Sequence, residues 1–371
     1  PPLTGVLAWR LWRSAKTAVL AGLIIALSPY AIQFSATAYT DPLLTFWLVA
    51  ALVTAVSGQT GWSGFWFGLA FLTKYQAVLF FPLLVGIGWL NNWPFRRWQR
   101  WFVGVLVVVV ILGGWGYGRS GLASLWQNQI NNYGGIRLAW SWELWPRLQA
   151  WLTYWSLWVG SGWLLTGLFV VIFWRWQQQH DIKAGWVALF VAGYLCLHWL
   201  LGVPVWDRYL LPIVPLIALL VAWAIGTGTG LWHKGVTLLL IGGMVGAAVA
   251  ARNGRFPIGS SPQADSGAAM VAAHLADAPY GTVLYDHWYS WQWRYHLFDT
   301  GVYVSWFPYP EALVKDLTAF FEQGGDRYLV LPADKTAEPV IRTLTNAGFV
   351  LVVSFKPDNG NMILYQIARV E

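Results

Sequence analysis

The feature that most constrains this chain is a succession of apolar segments separated by short polar stretches. The segments fall at about 17–34, 42–57, 61–73, 75–90, 101–115, 151–174, 184–203, 209–225 and 234–251. A bilayer requires about 20 apolar residues per helix, so the pattern predicts roughly nine spans, some of them short. Only 11% of the residues are charged, whereas a soluble domain usually carries about 25%. The chain is therefore predicted to be a polytopic α-helical membrane protein.

The formal charge of +7 fits membrane topology better than a nucleic-acid partner. Lysine and arginine concentrate in cytoplasmic loops close to helix ends. No basic run in the sequence combines interleaved aromatics with polar loops in a way that suggests a nucleic-acid groove. We therefore expect membrane lipids as partners and no nucleic acid. The single cysteine, Cys196, excludes a disulfide framework and a cysteine-based metal site.

The chain begins with Pro-Pro-Leu, without a methionine or a recognisable signal peptide. Residues 1–9 have the composition of the end of an apolar helix that has already begun. We therefore expect this sequence to be a fragment of a protein that extends further at its N-terminus.

Lys74 decides the predicted topology. If 61–90 were one helix, Lys74 would lie within a membrane span, at a cost of about 2.5–3.5 kcal/mol on insertion scales. If the segment crosses the membrane twice, the basic clusters within 10–16 and 96–100 both lie in the cytoplasm, where such clusters are favoured. We therefore predict a hairpin with Lys74 between its two short arms.

This topology places four polar features on the outer face. They are Asp41, Lys74, the loop 116–150 and the turn Asp207-Arg208-Tyr209. The tail after Ala251 lies on the same side. We therefore predict an integral protein of a bacterial inner membrane whose C-terminal domain is extracytoplasmic.

From about Arg252 the composition becomes that of a soluble domain. Short β-rich runs bounded by Gly, Pro or Asp lie at 281–285, 302–305, 328–331, 349–354 and 362–367, and helical patterns lie at 310–323 and 338–347. Strands that alternate with helices indicate a small α/β domain. We predict a transmembrane module over 1–251 and a soluble α/β accessory domain over 252–371, with no phosphate-binding or metal motif in the latter.

Several motifs in a fixed order carry a family resemblance. They are Ser28-Pro29-Tyr30, Ser35, Asp41-Pro42, Gly64-x-x-x-Gly68-Leu-Ala-Phe-Leu-Thr-Lys74 and Asp207-Arg208-Tyr209-Leu-Leu-Pro212-Ile-Val-Pro215. Over about residues 1–225, the chain resembles the integral-membrane glycosyltransferases of the GT-C superfamily. It is most similar to the bacterial relatives (glycosyltransferase family 39) of dolichyl-phosphate-mannose protein mannosyltransferases and to the aminoarabinose lipid A transferases.

The resemblance implies a fold and a reaction. A GT-C-like module would take a sugar from a polyprenyl-phosphate-linked donor and transfer it to an extracytoplasmic lipid, glycan or protein. It also implies that an acidic residue in the first outside loop acts as the base. That loop follows a first helix that this chain lacks, so we expect the main base to lie upstream of Pro1 and the fragment by itself to be inactive.

Two cations are predicted to bind the donor phosphate, whose charge grows as the sugar leaves. Lys74 offers a compact point charge at a helix end, and Arg208 can hold phosphate oxygens bidentately. The alternative for Lys74 is an interfacial lysine that extends to water. The alternative for Arg208 is a local ion pair with Asp207.

Asp41 is predicted as a second acidic group that orients the acceptor, since transfer also requires deprotonation of the acceptor hydroxyl. An alternative, compatible with the first, is that Asp41 is the N-cap of the helix that begins at Pro42. Tyr39, Tyr209 and Asp207 are candidate substrate contacts, although tyrosines are also common at membrane interfaces. No metal ligand set is assigned, and participation of a divalent cation is left open.

Aromatic residues crowd the segment 117–158, where an aromatic belt on an interfacial helix is favoured over a sugar-stacking surface. Arg119, Arg137 and Arg147 in this outside loop suggest contact with anionic lipid or phosphate. His198, alone in an apolar segment, is interpreted as a hydrogen-bonded packing residue.

Two other classes of function compete with the glycosyltransferase. A membrane transporter or flippase is disfavoured because the sequence shows no internal repeat and its charges lie at helix ends on one face. A non-catalytic membrane scaffold that presents the α/β tail gains weight if the missing first loop lacks an acidic residue.

Cysteine labelling tests the predicted sidedness. In a chain whose Cys196 is replaced by serine, single cysteines at Ser120 and Ser266 should react with a membrane-impermeant maleimide from the extracytoplasmic side. Labelling from the cytoplasmic side alone would overturn the whole arrangement.

Overall fold

The computed structural model describes residues 1–37, 39–120, 137–159, 161–226, 230–259, 267–323, 325–358 and 360–369. They form two compact units, Pro1–Gly259 and Ser260–Glu371. The first unit is helical and the second contains a small sheet. The predicted fold class, a polytopic helical protein with a C-terminal α/β domain, is confirmed.

Helices make up nearly all of the first unit. They are α1 (Pro2–Trp12), α2 (Ala15–Leu27), α3 (Pro29–Ser35), α4 (Asp41–Val56), α5 (Thr60–Thr73), α6 (Phe81–Leu90), α7 (Phe95–Ser120), α8 (Ser141–Ser156), α9 (Gly162–Gln179), α10 (Ile182–Leu200), α11 (Val214–Gly226) and α12 (Leu231–Arg252). Short 3₁₀ helices at Tyr75–Phe80 and Asp207–Ile213 lead into α6 and α11.

Fewer helices than predicted have the length and composition of a full membrane span. In the part of the chain that the structure describes, four qualify: Phe95–Gly118, Ile182–Leu200, Asp207–Gly226 and His233–Arg252. The pair α2 and α3, which meet at an angle of 54°, would make a fifth. Proline at the first position of α3 explains the bend, because it removes a backbone donor that the helix would need.

The expectation of roughly nine spans is therefore too high as a count of full-length helices. The apolar segment 151–174 is not one helix: α8 ends at Ser156 and α9 begins at Gly162. The helices Asp41–Val56 and Tyr75–Leu90 are apolar but short. Apolar composition identifies the segments that belong to the membrane module, but it does not show whether each segment is one unbroken helix.

The chain breaks at Lys74, as predicted. Helix α5 ends at Thr73, and Lys74 has an extended backbone with φ −163° and ψ 130°. Helix α5 packs against α4 and α7, whereas α6 packs against α4 and α10. The two arms are thus separate elements with different neighbours, and which side of the membrane their junction faces stays a prediction.

Helix α11 is the centre of the first unit. Every residue from Val214 to Gly226 is buried, and the helix packs on α1, α2, α9 and α10. A helix that is hydrophobic on all sides belongs in the interior of a bundle. The 3₁₀ turn that feeds it, Asp207–Ile213, carries the predicted Arg208 and Tyr209.

Glycines allow α5 and α7 to touch through their backbones. A Cβ atom on Gly64 would lie 1.9 Å from the Trp101 carbonyl oxygen, and one on Gly104 would lie 2.2 Å from the Gly61 carbonyl oxygen. Small residues four apart, such as Gly64 and Gly68, are typical of close helix pairs in membranes. The pair holds the C-terminal end of α5 in place just before Lys74.

The second unit contains a five-stranded sheet in the order β2-β1-β3-β5-β4. Its strands are β1 (Val283–Asp286), β2 (Tyr303–Trp306), β3 (Arg327–Pro332), β4 (Phe349–Phe355) and β5 (Met362–Arg369). Strand β1 pairs in parallel with β2 and β3, whereas β5 pairs antiparallel with β3 and β4. All five predicted strands and both predicted helices, here Pro310–Phe320 and Glu338–Asn346, are present.

Helices cover both faces of this sheet. Leu284 and Val330 pack in one apolar cluster with Ala268–His274 and Ser290–His296, two helices that the sequence analysis did not identify. The neighbouring Tyr285 and Leu329 point to the opposite cluster. Alternate residues of a strand face opposite sides, so burial on both faces removes the alternation expected of a half-exposed strand.

A pair of alanine substitutions in α7 tests the close approach of α5. Gly104→Ala should lower the apparent melting temperature of the detergent-solubilised protein, because its new methyl group meets the α5 backbone and overpacking costs about 1–3 kcal/mol or more. Gly113→Ala on the same helix has open space around its Cβ and serves as the matched control. Equal melting temperatures for the two variants would contradict this packing.

Candidate active site

An ion pair joins the start of α4 to the break after α5. The Asp41 carboxylate is buried, with 2% of the residue exposed, and its Oδ1 atom lies 2.5 Å from Lys74 Nζ. The Lys74 side chain is 24% exposed. The two predicted charges, 33 residues apart in the chain, therefore form an ion pair. The Asp41 carboxylate is buried, and the Lys74 ammonium lies at the edge of the bundle.

Asp41 does not act as the helix N-cap that was considered as an alternative. Thr40 occupies that position, and the structure gives it no side-chain capping bond. Asp41 is the first residue of α4, where a negative charge is favoured by the helix dipole. Its carboxylate is directed to Lys74, and Pro42 follows without needing a backbone donor.

Arg208 lies among aromatic rings. Its guanidinium carbon is 4.2 Å from the ring centre of Trp206 and 4.5 Å from that of Tyr39. Among the described residues no carboxylate lies within ion-pairing distance of Arg208, and its buried Nε has no hydrogen-bond partner. The two rings contact the guanidinium through cation–π interactions and leave its hydrogen-bond donors for another group.

The predicted alternative of an Asp207–Arg208 ion pair is wrong. Asp207 Oδ1 accepts the backbone N–H of Arg208 at 2.7 Å, and Oδ2 accepts the backbone N–H of Gly259 at 2.5 Å. The carboxylate thus fixes the turn and the end of the first unit. Asp207 as a substrate contact stays a prediction, although its two oxygens are already engaged.

Tyr209 separates the two cations. Its ring centre lies 4.5 Å from Lys74 Nζ and 6.0 Å from the guanidinium carbon of Arg208. The site therefore holds two positive groups around one aromatic ring. The Asp41 carboxylate pairs with Lys74 and the Asp207 carboxylate accepts backbone N–H groups, so the Arg208 guanidinium keeps its donors for an anion.

A hydrogen-bond network of Gln76, Tyr194 and His198 holds the backbone of Tyr209. The sequence analysis did not identify these three residues as a group. The Tyr209 carbonyl oxygen accepts the Tyr194 hydroxyl at 2.7 Å and the Gln76 side-chain amide at 3.2 Å. The Gln76 amide nitrogen also lies 3.2 Å from His198 Nε2. The network fixes the backbone of the 3₁₀ turn at Tyr209. It thereby restrains the directions of the Arg208 and Tyr209 side chains.

His198 is a packing residue, as its sequence context indicated. It is 4% exposed, its Nδ1 atom lies 2.9 Å from the Tyr194 carbonyl oxygen, and its ring stacks on Tyr194 at 4.2 Å. A proton on Nδ1 bonds that carbonyl and leaves Nε2 to accept from Gln76. Among the described residues no group of three His, Cys, Asp or Glu side chains converges on a metal position.

The arginines predicted to touch lipid or phosphate in the aromatic loop have structural partners instead. Arg137 binds both oxygens of Glu143, at 2.6 and 2.7 Å, and with the Trp140 backbone it lowers the pKa of Glu143 to about 2. Arg147 donates to the carbonyl oxygens of His198, Trp199 and Leu201 and caps the C-terminus of α10. The Arg119 side chain lies outside the described residues.

An apolar cavity of about 400 Å³ adjoins the charged site. Pro42, next to Asp41, and Leu211, three residues after Arg208, form part of its wall. The rest of the wall comes from α1, α2, α3, α4 and α11, and it contains no charged side chain among the described residues. An apolar chamber lined by chain neighbours of Asp41 and Arg208 is suited to the hydrocarbon part of an amphiphile whose anionic head binds at the charged site.

Comparison with known proteins agrees with this architecture. Residues 3–115, which include Asp41 and Lys74, match the sequence model of the dolichyl-phosphate-mannose-protein mannosyltransferase family. The fold is similar to that of ArnT from Cupriavidus metallidurans bound to undecaprenyl phosphate, with a TM-score of 0.65, 14% identity and coverage of 98% of this chain and 81% of that one. The apo structure of the same protein gives a TM-score of 0.66 at 14% identity, with coverage of 98% and 80%.

No curated protein matches the sequence. At 14% identity the structural likeness establishes the fold. The family match over residues 3–115 agrees with the resemblance that the motifs indicated.

A double-mutant cycle measures the Asp41–Lys74 pair. Lys74→Met should destabilise the protein by about 2–4 kcal/mol, because it leaves a buried carboxylate without its partner. Adding Asp41→Asn should recover part of that loss. Unfolding free energies in mixed micelles give the coupling term.

The exposed pair Arg369–Glu322, with a separation of 3.7 Å, is the matched control, with an expected coupling of about 0–0.5 kcal/mol. A coupling for Asp41–Lys74 as small as that of the control would show that the two buried-site charges do not depend on each other.

Proposed function

We propose that this protein is a glycosyltransferase of the GT-C type, which moves a sugar from a polyprenyl-phosphate-linked donor to an extracytoplasmic acceptor; its ArnT-like fold supports the proposal. The observation that carries the proposal is the pair of cations, Lys74 and Arg208, on either side of the Tyr209 ring. Two fixed positive groups beside an apolar chamber match a phosphate that carries a long isoprenoid chain. That ArnT was crystallised with undecaprenyl phosphate supports the same ligand class.

In the proposed reaction the acceptor hydroxyl oxygen forms a bond to the anomeric carbon of the sugar. The bond between that carbon and the phosphate oxygen breaks, the polyprenyl phosphate leaves with an additional negative charge, and the proton of the acceptor hydroxyl passes to a general base. Lys74 and Arg208 stabilise this charge as it develops, because they are already positioned before the reaction. Arg208 is suited to two phosphate oxygens, since a guanidinium binds them bidentately and its position is restrained by the rings of Trp206 and Tyr39.

Asp41 has a positioning role in this proposal. Its carboxylate holds the Lys74 ammonium at 2.5 Å and so determines where that charge is presented. A carboxylate committed to an ion pair is a poor choice to receive the acceptor proton, so we do not assign it the role of base. Its predicted contact with the acceptor, and those of Tyr39, Tyr209 and Asp207 with substrate, remain proposals.

The sugar, the acceptor and any divalent cation are not assigned by these residues. The site supports the phosphate end of the donor, and the chemistry of a phosphate is the same whichever sugar it carries. The second unit is proposed to be an extracytoplasmic accessory domain, and the membrane is proposed to be the bacterial inner membrane.

Transfer of labelled sugar from a polyprenyl-phosphate donor by the full-length protein tests the assignment. Lys74→Ala and Arg208→Ala should each lower kcat/KM for the donor by about 10²-fold or more, the effect of removing one preorganised group from a developing anion. Arg208→Lys should recover only part of the loss, because a lysine cannot bind two oxygens in a fixed plane.

Arg97→Ala, at an exposed arginine of α7, is the control and should retain wild-type kinetics. Wild-type rates in both Lys74→Ala and Arg208→Ala would refute their assignment to the donor phosphate.

A further inference from the structure

A second charged cavity lies at the other end of α4. It has a volume of about 220 Å³ and opens between the ends of α1, α4 and α6 and the start of α10. Helix α4 runs from Asp41 at the candidate active site to Val56 in the wall of this cavity. The 15 intervening steps along the helix place the two positions about 22 Å apart.

The rim of this cavity is positive. Arg10, Arg13 and Lys183 line it together with Asn91, and no carboxylate belongs to its described lining. Arg10 and Arg13 are exposed, and neither makes an ion pair or a side-chain hydrogen bond with any described residue. Both guanidinium groups therefore keep their hydrogen-bond donors for an anion at the rim.

Asp181, two residues before Lys183, forms no ion pair with these three cations. Asp181 Oδ1 accepts the backbone N–H groups of Lys183 and Ala184 at the start of α10. Its Oδ2 atom accepts the indole N–H of Trp12 at 3.0 Å. The Lys183 ammonium instead donates to the Leu11 carbonyl oxygen at 3.0 Å, which ties α10 to the end of α1 and keeps the positive charge at the rim.

Arg13 occupies a backbone position that normally favours glycine. It ends α1 in the left-handed region, with φ 53° and ψ 30°, and its N–H bonds the Trp9 carbonyl oxygen. Helices that end this way usually use glycine or asparagine, because other side chains are disfavoured there. An arginine at this position is therefore placed against its backbone preference, at the mouth of a cavity.

Below the rim the walls are apolar. They are formed by Leu7, Leu11, Leu52, Val56, Leu83, Ile87, Leu90, Trp186, Val187, Leu216 and Leu219. Gly86 brings the Trp186 indole close to α6, since a Cβ atom there would lie 1.9 Å from the ring. The cavity thus combines a cationic rim with a hydrocarbon-like interior.

We propose that this cavity binds an anionic phospholipid, with the phosphate at Arg10 and Arg13 and an acyl chain against the apolar walls. Basic pockets between transmembrane helices are known sites for anionic head groups, and guanidinium groups bind phosphate oxygens bidentately. A soluble anion would leave the apolar walls exposed to water, whereas a lipid covers them. This site is independent of the proposed transferase reaction.

Lipid binding by the full-length protein in detergent tests the proposal. By native mass spectrometry, wild type should retain phosphatidylglycerol in preference to phosphatidylcholine. Arg10→Gln/Arg13→Gln should lower the affinity for phosphatidylglycerol at least tenfold. Arg96→Gln/Arg97→Gln removes the same charge from exposed positions that do not line the cavity and should bind as wild type does. Equal losses in the two double variants would indicate surface attraction only and would overturn the proposal.

A second variant keeps all cations and fills the chamber. Val56→Phe, at a half-buried wall position, should also weaken phosphatidylglycerol binding, because the larger ring occupies the acyl-chain space. Wild-type affinity in this variant would show that the apolar walls are not used, which would overturn the lipid assignment. It also decides the question if Arg10→Gln/Arg13→Gln does not fold.

Inorganic phosphate distinguishes the head group from the whole lipid. At matched concentration it should neither raise the melting temperature of the wild-type protein nor displace phosphatidylglycerol. Stabilisation by inorganic phosphate equal to that by phosphatidylglycerol would make this a soluble-anion site and would contradict the proposal.

Discussion

The burial of one carboxylate organises the membrane unit. Asp41 is almost fully enclosed at the start of α4, and a charge in that position persists only if a partner is brought to it. Lys74 is that partner, and it can reach Asp41 because the chain leaves the helical conformation between Thr73 and Tyr75. This one pair accounts for the break in the helix, for the 3₁₀ helix Tyr75–Phe80 that follows it, and for a cation at the edge of the bundle. Arg208, from a distant part of the chain, lies on the other side of the Tyr209 ring.

The sequence was sufficient for the positions of the charges but not for how they are held. Asp41, Lys74 and Arg208 stand out because charged residues are rare in apolar sequence, and the structure brings all three around Tyr209 and the start of α4. Trp206 was missed since a tryptophan carries little information in a chain with 29 of them. The network of Gln76, Tyr194 and His198 was missed for a different reason. Its members come from two segments 118 to 122 residues apart, and no local pattern connects them.

Helix continuity was the least predictable aspect of the fold. Composition identifies which segments avoid water, but a proline at the start of α3 or a turn between α8 and α9 changes the number of full-length helices without changing the composition. In the second unit the opposite holds. Its five strands are short and bounded by turn residues, so local signals were sufficient. The helices Ala268–His274 and Ser290–His296, each of 7 residues, are too short to show a helical period clearly.

The glycine contacts between α5 and α7 have a mechanical consequence. Where two helix backbones touch directly, no side chain lies between them that could change rotamer and let one helix slide along the other. We therefore expect α5 and α7 to move as one rigid pair, and Lys74 directly follows the C-terminal end of α5. The remaining freedom of that ammonium is the rotation of its own four-carbon stem, which Asp41 further restricts. The position of the Lys74 ammonium thus depends on the glycines at which α5 and α7 touch.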